Sequence, residues 1–262
     1  MAFSIEILPA FTDNYIFLIS DTDLGLAMVV DPGDADVVLK HLKTKDLSLA
    51  LILNTHHHKD HVGGNDKLVQ EFGAPVIGPV SEMSRIGPLS RGVRHNDFIT
   101  FSTLRGQVIE THGHTSGHIS FYFPQLKALF CGDTMFSLGC GRLFEGTATE
   151  MWASLTALRA LPDDTLVYAA HEYTEANAKF ALAIDKHNEA LKTRAAEVTA
   201  LRKQSQPTIP TLLGIEKKTN PFLRVDDPHF QKALAKAGLA TEGTDPAAIF
   251  GTLRAAKDRF GT

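Results

Sequence analysis

Four histidines and one aspartate lie within six consecutive positions, His56 to His61, and form the pattern H-x-H-x-D-H. Imidazole nitrogen and carboxylate oxygen are ligands that zinc and the neighbouring first-row metals accept in proteins. A simple histidine tract would not contain the interleaved Asp60. The pattern therefore predicts a metal site in which His56 and His58 bind one ion, while Asp60 and His61 reach a second.

The segments on either side of this run fit such a site. An apolar run at residues 49–53 precedes it and has the length of a buried strand. Gly63-Gly64 and a helix-like stretch, Asn65 to Phe72, follow it. Open α/β sheets place their sites at the carboxyl ends of strands, where the chain turns into a helix. We therefore expect the ligands to lie at the edge of a sheet.

Three later segments bring further metal-competent residues to the ends of strand-like runs. One segment, 111–118, lies between two such runs, and the other two follow the runs 128–131 and 166–169. A single histidine or aspartate in such a place is more often structural. Taken together with the first run, however, the residues of these three segments indicate one site built from several strand ends. The residues in question are His112, His114, His118, Asp133 and His171.

The composition limits the possible classes of function. With 44% hydrophobic and 21% charged residues, the 262-residue chain is an ordinary globular protein. A net charge of −4 does not favour nucleic acid or an anionic membrane, so an anionic substrate would need a local basic patch. Cys131 and Cys140 are too few for a disulfide framework. The chain shows neither a signal-peptide pattern nor a long apolar run, and we expect a cytoplasmic protein without a membrane span.

The chain changes character near residue 172. Before it, many strand-like runs alternate with helical patterns, which predicts two sheets packed face to face with helices on the outer faces. The turn-forming residues Asp21–Gly25 predict a hairpin between two strands. The helical patterns lie at 35–42, 65–72 and 149–161, the last with Thr149 as its N-cap.

After His171 helix-forming residues dominate. The pattern predicts a helical stretch at 175–205, an irregular segment from Pro207 to Asp227 and two closing helices, 228–237 and 246–260. We therefore predict a catalytic domain over residues 1–172 and a smaller helical domain over residues 173–262.

These motifs resemble those of the metallo-β-lactamase superfamily and, within it, the hydroxyacylglutathione hydrolases (glyoxalase II). The metal motif alone indicates only the superfamily. Glu145-Gly146-Thr147, His171-Glu172-Tyr173-Thr174 and the helical tail narrow the resemblance, which covers essentially the whole chain. It implies an α+β fold, a four-layer αββα sandwich followed by a smaller all-helical C-terminal domain.

The resemblance implies a binuclear centre with two divalent ions per chain, which we expect to be zinc, with iron or manganese as alternatives. Asp60 and Asp133 are the predicted catalytic carboxylates, Asp60 as the ligand that orients the attacking hydroxide. The carried-over ligands are His56, His58 and His114 for the first ion, Asp60, His61 and His171 for the second, and Asp133 as the bridge.

The resemblance also implies a glutathione-binding groove. The spacing of the charged residues alone would instead indicate that the last helix exposes them to solvent. Arg142 stands where many relatives have lysine, which keeps the charge but changes the donor geometry. Phe144 stands where some relatives have a tyrosine whose hydroxyl reaches glutathione. The implied substrate-binding residues are Arg142, Phe144, Tyr173, Arg254 and Lys257.

The implied reaction is hydrolysis of 2-hydroxyacyl thioesters of glutathione, chiefly S-D-lactoylglutathione to D-lactate and glutathione, the second step of methylglyoxal detoxification. A two-metal site can generate hydroxide near neutral pH, and a thiolate can leave without a dedicated general acid. We expect a small-molecule substrate and a monomer that needs no protein partner, nucleic acid or membrane.

Other readings of the metal motif remain as alternatives. A glutathione persulfide dioxygenase of the same superfamily would use one iron, and the helical tail and residues 139–146 argue against it. Many β-lactam hydrolases place a cysteine where this chain has Asp133, and a nucleic-acid phosphodiesterase would need a basic surface. A non-catalytic, metal-stabilised binding module would be expected to have lost ligands, whereas all seven positions are filled here.

Overall fold

The computed structural model describes residues 3–239 and 245–260, which divide into two units. The first unit contains residues up to Glu110 and the segment Gly117–Gly132. The second contains Thr111–Ser116 and the chain from Asp133 onward. The outer ends of the two predicted domains, residues 1 and 262, lie outside the described residues.

A six-stranded sheet in the order β1-β2-β3-β4-β5-β6 forms much of the first unit. Strands β1 to β3 are antiparallel, and β3 to β6 are parallel. The predicted hairpin is confirmed, because β2 pairs with β3 across Asp21–Gly25 and Gly25 takes φ +64°. The strands are β1 (Phe3–Ala10), β2 (Asn14–Asp21), β3 (Leu26–Val30), β4 (Ser48–Leu53), β5 (Val76–Pro79) and β6 (Arg91–Val93).

Helices α1 (Ala35–Lys45) and α3 (Asn65–Phe72) cover one face of this sheet, and the four-residue helix α2 (Lys59–Val62) precedes α3. Val38 and Leu68 belong to one buried core with sheet residues of β2 and β4. The predicted helix 65–72 is confirmed. The helix predicted at 35–42 continues to Lys45, because Asp46 takes a left-handed conformation (φ 54°) and ends it there.

Four antiparallel strands of the first unit follow in the order β10-β9-β8-β7. Strand β2 is buried along its whole length. Ile16 and Leu18 belong to the helix-side core, while Phe17 points the other way and its ring lies 5.5 Å from that of Phe130. Two sheets therefore pack face to face within this unit, as predicted. The strands are β7 (Phe98–Phe101), β8 (Leu104–Glu110), β9 (Ile119–Phe123) and β10 (Ala128–Gly132).

The second unit is mainly helical. It contains a short hairpin, β11 (Met135–Phe136) with β12 (Gly139–Cys140), and an antiparallel pair, β13 (Leu166–Ala169) with β14 (Thr211–Leu212). Its helices are α4 (Ala148–Arg159), α5 (Thr174–Ile184), α6 (Glu189–Lys203), α7 (Leu213–Thr219), α8 (Pro228–Lys236) and α9 (Pro246–Asp258).

The N-cap predicted for α4 was wrong. Thr147, not Thr149, has the extended backbone of a cap, and its hydroxyl accepts a hydrogen bond from the N–H of Glu150 (3.2 Å). The Glu150 carboxylate accepts the N–H of Thr147 in return (2.7 Å), which completes a capping box. Thr149 lies inside the first turn.

Two other features of the tail differ from the sequence pattern. The stretch 175–205 is two helices, because Asn188 caps α6 by accepting the N–H of Leu191 (3.0 Å). The segment predicted to be irregular contains β14 and α7. A seven-residue helix is too short to show a clear helical period in the sequence.

Aromatic packing holds the tail of the second unit together. The ring of Phe222 lies 6.1 Å from that of Phe180 on α5 and 5.8 Å from that of Phe250 on α9. All three side chains are buried.

None of the described helices has the length and apolar character needed to cross a membrane.

Candidate metal centre

The first group of candidate ligands follows the carboxyl end of β4. His56 Nε2 and His58 Nδ1 lie 3.0 Å apart, so both nitrogens face the same point. Asp60 and His61 lie on α2, where Asp60 Oδ2 is 3.4 Å from His61 Nε2. The ring centroids of His56 and His61 lie 4.1 Å apart, so all four predicted ligands of the first unit point their donor atoms into one small region.

Side chains that the motif does not contain orient these ligands. Asp31 Oδ2 lies 3.1 Å from His61 Nδ1, and the Thr55 hydroxyl lies 3.0 Å from His56 Nδ1. With Nδ1 held by an oxygen, each ring presents Nε2, the arrangement that metal-binding histidines usually show.

Asp60 is held in the same way. Asn14 donates its side-chain amide N–H to Asp60 Oδ2 (2.9 Å). Asn14 is not among the predicted site residues, and this contact gives it a physical role. Asp31 was missed altogether; the available signal was its place directly after β3, the parallel neighbour of β4.

Two other histidines of the first unit lie outside the ligand set. The ring of His118 stacks on that of His56 with centroids 4.8 Å apart, and His118 is fully buried. His57 Nδ1 lies 2.8 Å from the buried Glu82 carboxylate. Glu82 also accepts the N–H of Gly117 (3.0 Å). These contacts hold the ligand loop rather than extend the ligand set.

The second group of candidate ligands lies in the second unit and centres on Asp133. Its Oδ2 lies 3.3 Å from His114 Nε2, and its Oδ1 lies 3.4 Å from His171 Nε2. The two carboxylate oxygens therefore face different histidines, as a carboxylate shared by two metal ions would. His114 Nδ1 lies 3.0 Å from the carbonyl oxygen of Arg142, which again leaves Nε2 for a metal.

The residues of both groups fit divalent transition metals. Their donors are imidazole nitrogens and carboxylate oxygens, and three of the rings have Nδ1 held by an oxygen. His56, His61, His114, Asp133 and His171 are buried, which limits competition from bulk water.

All five predicted substrate-binding residues line a cavity of about 600 Å³ in the second unit. We call it the cation-lined cavity. The metal-ligand candidates His114 and Asp133 also line it. Its other lining residues, apart from those two, include Arg142, Phe144, Tyr173, Arg254, Lys257 and Asp258.

The three cations of the cavity differ in exposure. The Arg142 side chain is 64% exposed, whereas Arg254 is buried. Arg254 Nη1 donates to the carbonyl oxygen of Cys140 (2.9 Å), and Nη2 donates to Asp258 Oδ1 (3.0 Å). Arg142 and Lys257 are therefore the more accessible cations of the cavity.

Burial and neighbouring charge change two pKa values here. Desolvation, with the positive charges of Arg254 and Arg142, lowers the pKa of Lys257 below the ordinary lysine value. Burial raises the pKa of the Cys140 thiol to about 11, so Cys140 remains a thiol at neutral pH.

Aromatic rings form part of the cavity wall. The Tyr173 ring stacks on His171, with centroids 4.9 Å apart and planes 3° from parallel. The ring of Phe144 lies 5.1 Å from that of His114 and is 61% exposed. Both aromatic residues thus lie against predicted metal ligands and offer apolar surface to a ligand in the cavity.

Family models and known proteins match most of the chain. The family model described as the metallo-beta-lactamase superfamily matches residues 11–171, and that described as the hydroxyacylglutathione hydrolase C-terminus matches residues 172–260. A hydroxyacylglutathione hydrolase from Rhodospirillum rubrum is 47% identical over 249 residues, which cover 95% of each chain.

Solved structures are similar along most of the chain. The crystal structure of ETHE1 from Myxococcus xanthus is 26% identical with a TM-score of 0.66 and covers 98% of both chains. A protein solved in a di-iron-bound form is 25% identical with a TM-score of 0.61, and the match covers 84% of this chain and all of that one.

These matches confirm the predicted fold class, an α+β metallo-β-lactamase sandwich of the αββα type followed by a helical C-terminal domain. Clusters of histidine and aspartate on this fold indicate a binuclear metal site. The chain belongs to the metallo-β-lactamase superfamily and, within it, to the hydroxyacylglutathione hydrolase family.

Proposed function

We propose that this protein hydrolyses S-2-hydroxyacylglutathione thioesters, chiefly S-D-lactoylglutathione to D-lactate and glutathione, the second step of methylglyoxal detoxification. The observation that carries the proposal is the composition of one cavity. Two predicted metal ligands, His114 and Asp133, line it together with three cations that suit the carboxylates of glutathione. The relative that is 47% identical bears the name of this activity.

The metal ligands of the proposed site come from both groups of side chains. His56, His58 and His114 would hold the first ion, and Asp60, His61 and His171 would hold the second. Asp133 would be shared by both, which the different directions of its two oxygens support. We expect zinc, with iron or manganese as alternatives; a structural relative was solved in a di-iron-bound form.

When bound, two divalent cations supply a nucleophile from water near neutral pH and stabilise negative charge on the carbonyl oxygen of the substrate. Asp60, fixed by Asn14, orients that nucleophile toward the thioester carbon. Asp133 holds the rings of His114 and His171 in place through its contacts to both. The glutathione thiolate leaves without a general acid, because a thiol has a low pKa compared with an alcohol.

The substrate is bound through charge and shape. Arg142 and Lys257 bind carboxylates of glutathione, while the buried Arg254 adds positive charge beneath them. Tyr173 and Phe144 pack against the apolar parts of the thioester. Phe144 has no hydroxyl to donate, so it contributes surface rather than a hydrogen bond.

We assign the catalytic domain to residues 1–172 and the helical, glutathione-binding domain to residues 173–262. The enzyme acts in the cytoplasm as a monomer on a small-molecule thioester. It needs no protein partner, nucleic acid or membrane.

A paired measurement tests the function. Protein purified without chelator is analysed for bound metal and assayed for loss of S-D-lactoylglutathione absorbance. We expect two ions per chain and metal-dependent hydrolysis that chelator abolishes. Oxygen uptake on glutathione persulfide without thioester hydrolysis would instead identify a persulfide dioxygenase.

A further inference from the structure

Asp258 is the last residue of α9 and lines the cation-lined cavity. It is a carboxylate among the three cations Arg142, Arg254 and Lys257. Its contacts explain what this charge does.

One oxygen of Asp258 lies between two guanidinium groups. Asp258 Oδ1 accepts a hydrogen bond from Arg254 Nη2 (3.0 Å) and lies 3.6 Å from Arg142 Nε. This is the place that a ligand carboxylate would take if it bound the same two arginines. A bound carboxylate must therefore share these donors with Asp258 or displace it.

Asp258 is not the only group that fixes Arg254. The guanidinium also donates to the Cys140 carbonyl oxygen (2.9 Å) and lies 5.1 Å from the centroid of the Phe222 ring. Arg254 is buried at that position. Removing the charge of Asp258 while keeping its shape should therefore change the electrostatics of the cavity more than the position of Arg254.

We infer that Asp258 is a specificity-determining residue whose carboxylate competes with ligand carboxylates for the cations of the cavity. It weakens the binding of free glutathione and so prevents the retention of this product. The inference rests on the proposed function, because glutathione is the ligand concerned. The negative charge of Asp258 lowers the positive potential of the cavity, and its Oδ1 lies 3.6 Å from Arg142 Nε, a donor that the product would use. Tighter product binding would slow release, which limits turnover in many enzymes.

The test compares Asp258→Asn with the wild type. The amide keeps the size and the Oδ1 acceptor but removes the charge. We expect KM for S-D-lactoylglutathione and the inhibition constant of free glutathione each to fall about 3- to 10-fold, a modest change because the side chain is partly exposed. The product should leave more slowly, so kcat should not rise. Added salt should weaken glutathione binding more steeply in this variant than in the wild type.

Two further variants isolate the cause. Asp258→Glu keeps the charge and should return both constants toward wild-type values. Glu189→Gln removes one negative charge from an exposed position on α6 that does not line the cavity, and it should leave both constants unchanged. Unchanged or raised constants in Asp258→Asn, with the fold intact, would overturn the inference and make Asp258 a residue that orients the arginines.

Calorimetric titration with free glutathione separates this inference from the proposed function, because binding needs no catalysis. Tighter glutathione binding by Asp258→Asn supports the inference even if no thioester is hydrolysed, a result that would contradict the proposed function alone. Equal glutathione affinity in the two proteins, beside normal thioester hydrolysis in the wild type, contradicts the inference alone.

Discussion

Asp31 Oδ2 lies 3.1 Å from His61 Nδ1, and both side chains are buried. Asp31 also accepts the N–H (2.8 Å) and the hydroxyl (2.7 Å) of Thr55. One carboxylate thus fixes the orientation of a predicted metal ligand and the start of the ligand loop. A second pair, His57 with Glu82, has nearly the same geometry but involves a histidine outside the predicted ligand set.

These two pairs provide a matched comparison. Asp31→Asn should lower metal affinity about 10- to 100-fold, because the amide no longer holds His61 as a carboxylate does. Glu82→Gln removes a similar buried carboxylate from His57 and should leave metal binding intact. Metal content after dialysis against a weak chelator measures both. Equal metal loss in the two variants would show that loop folding, not ligand orientation, is responsible.

A second prediction concerns Asp133. Asp133→Asn should lower turnover by about two orders of magnitude or more and reduce metal content toward one ion per chain, because only an anionic carboxylate neutralises two adjacent dications. Metal analysis and the thioester assay measure the two effects. Asp163→Asn, which changes an exposed aspartate paired with Lys217, serves as the control. Near-normal turnover with two ions retained would contradict the bridging role.

Arg254 and Lys257 should respond differently to removal. Arg254→Ala leaves the Cys140 carbonyl oxygen without its donor, so the free energy of unfolding should fall by about 1–3 kcal/mol while KM rises. Lys257→Ala should raise KM about 3- to 10-fold, because a partly exposed charge-assisted contact is lost, and should leave unfolding nearly unchanged. Denaturant unfolding and steady-state kinetics distinguish the two. A loss of stability in both variants would mean that Lys257 is structural.

The lowered pKa of Lys257 predicts a pH dependence. Its causes are desolvation and the charges of Arg254 and Arg142, opposed by the negative charge of Asp258. Because a lowered pKa means that the positive charge is lost earlier as pH rises, KM for the glutathione thioester should increase on the alkaline side before an ordinary lysine would titrate.

Lys257→Arg provides the control for this effect, since an arginine keeps its charge throughout this range. Its KM should stay flat over the pH interval in which that of the wild type rises. Rates must be corrected for spontaneous thioester hydrolysis in alkali. The same alkaline rise in both proteins would assign the dependence to another group.

Asn220 supports a last prediction, about stability. Its amide donates to the carbonyl oxygens of Phe136 (3.0 Å) and Gly139 (2.9 Å) and to Glu216 Oε2 (3.1 Å), all buried. These bonds hold the β11–β12 hairpin, in which Leu138 takes a left-handed conformation (φ 58°).

Asn220→Ala should therefore lower the free energy of unfolding by about 2–4 kcal/mol, because buried carbonyl oxygens lose their donors. Asn188→Ala removes a more exposed helix cap and should cost only about 1 kcal/mol. Chemical denaturation of both variants gives the comparison. Similar losses would mean that the Asn220 bonds are replaced by water.

Several features could be predicted because their signals are local. The H-x-H-x-D-H run contains its ligand chemistry within six residues, and helix 65–72 shows its period and its bounding glycines in the sequence. The N-cap of α4 was predicted wrongly, because Thr147 and Thr149 are both residues that can cap a helix. Only the backbone conformation decides between them.

By itself the sequence determined the candidate metal ligands, the strand ends that carry them and, through resemblance, the family. Tertiary structure alone showed that Asp31 and Asn14 hold His61 and Asp60, and that Asp258 lies between two arginines. The physical reason is distance. Ligand chemistry and helical period are properties of neighbouring residues, whereas a hydrogen bond near 3 Å depends on which distant atoms the fold brings together.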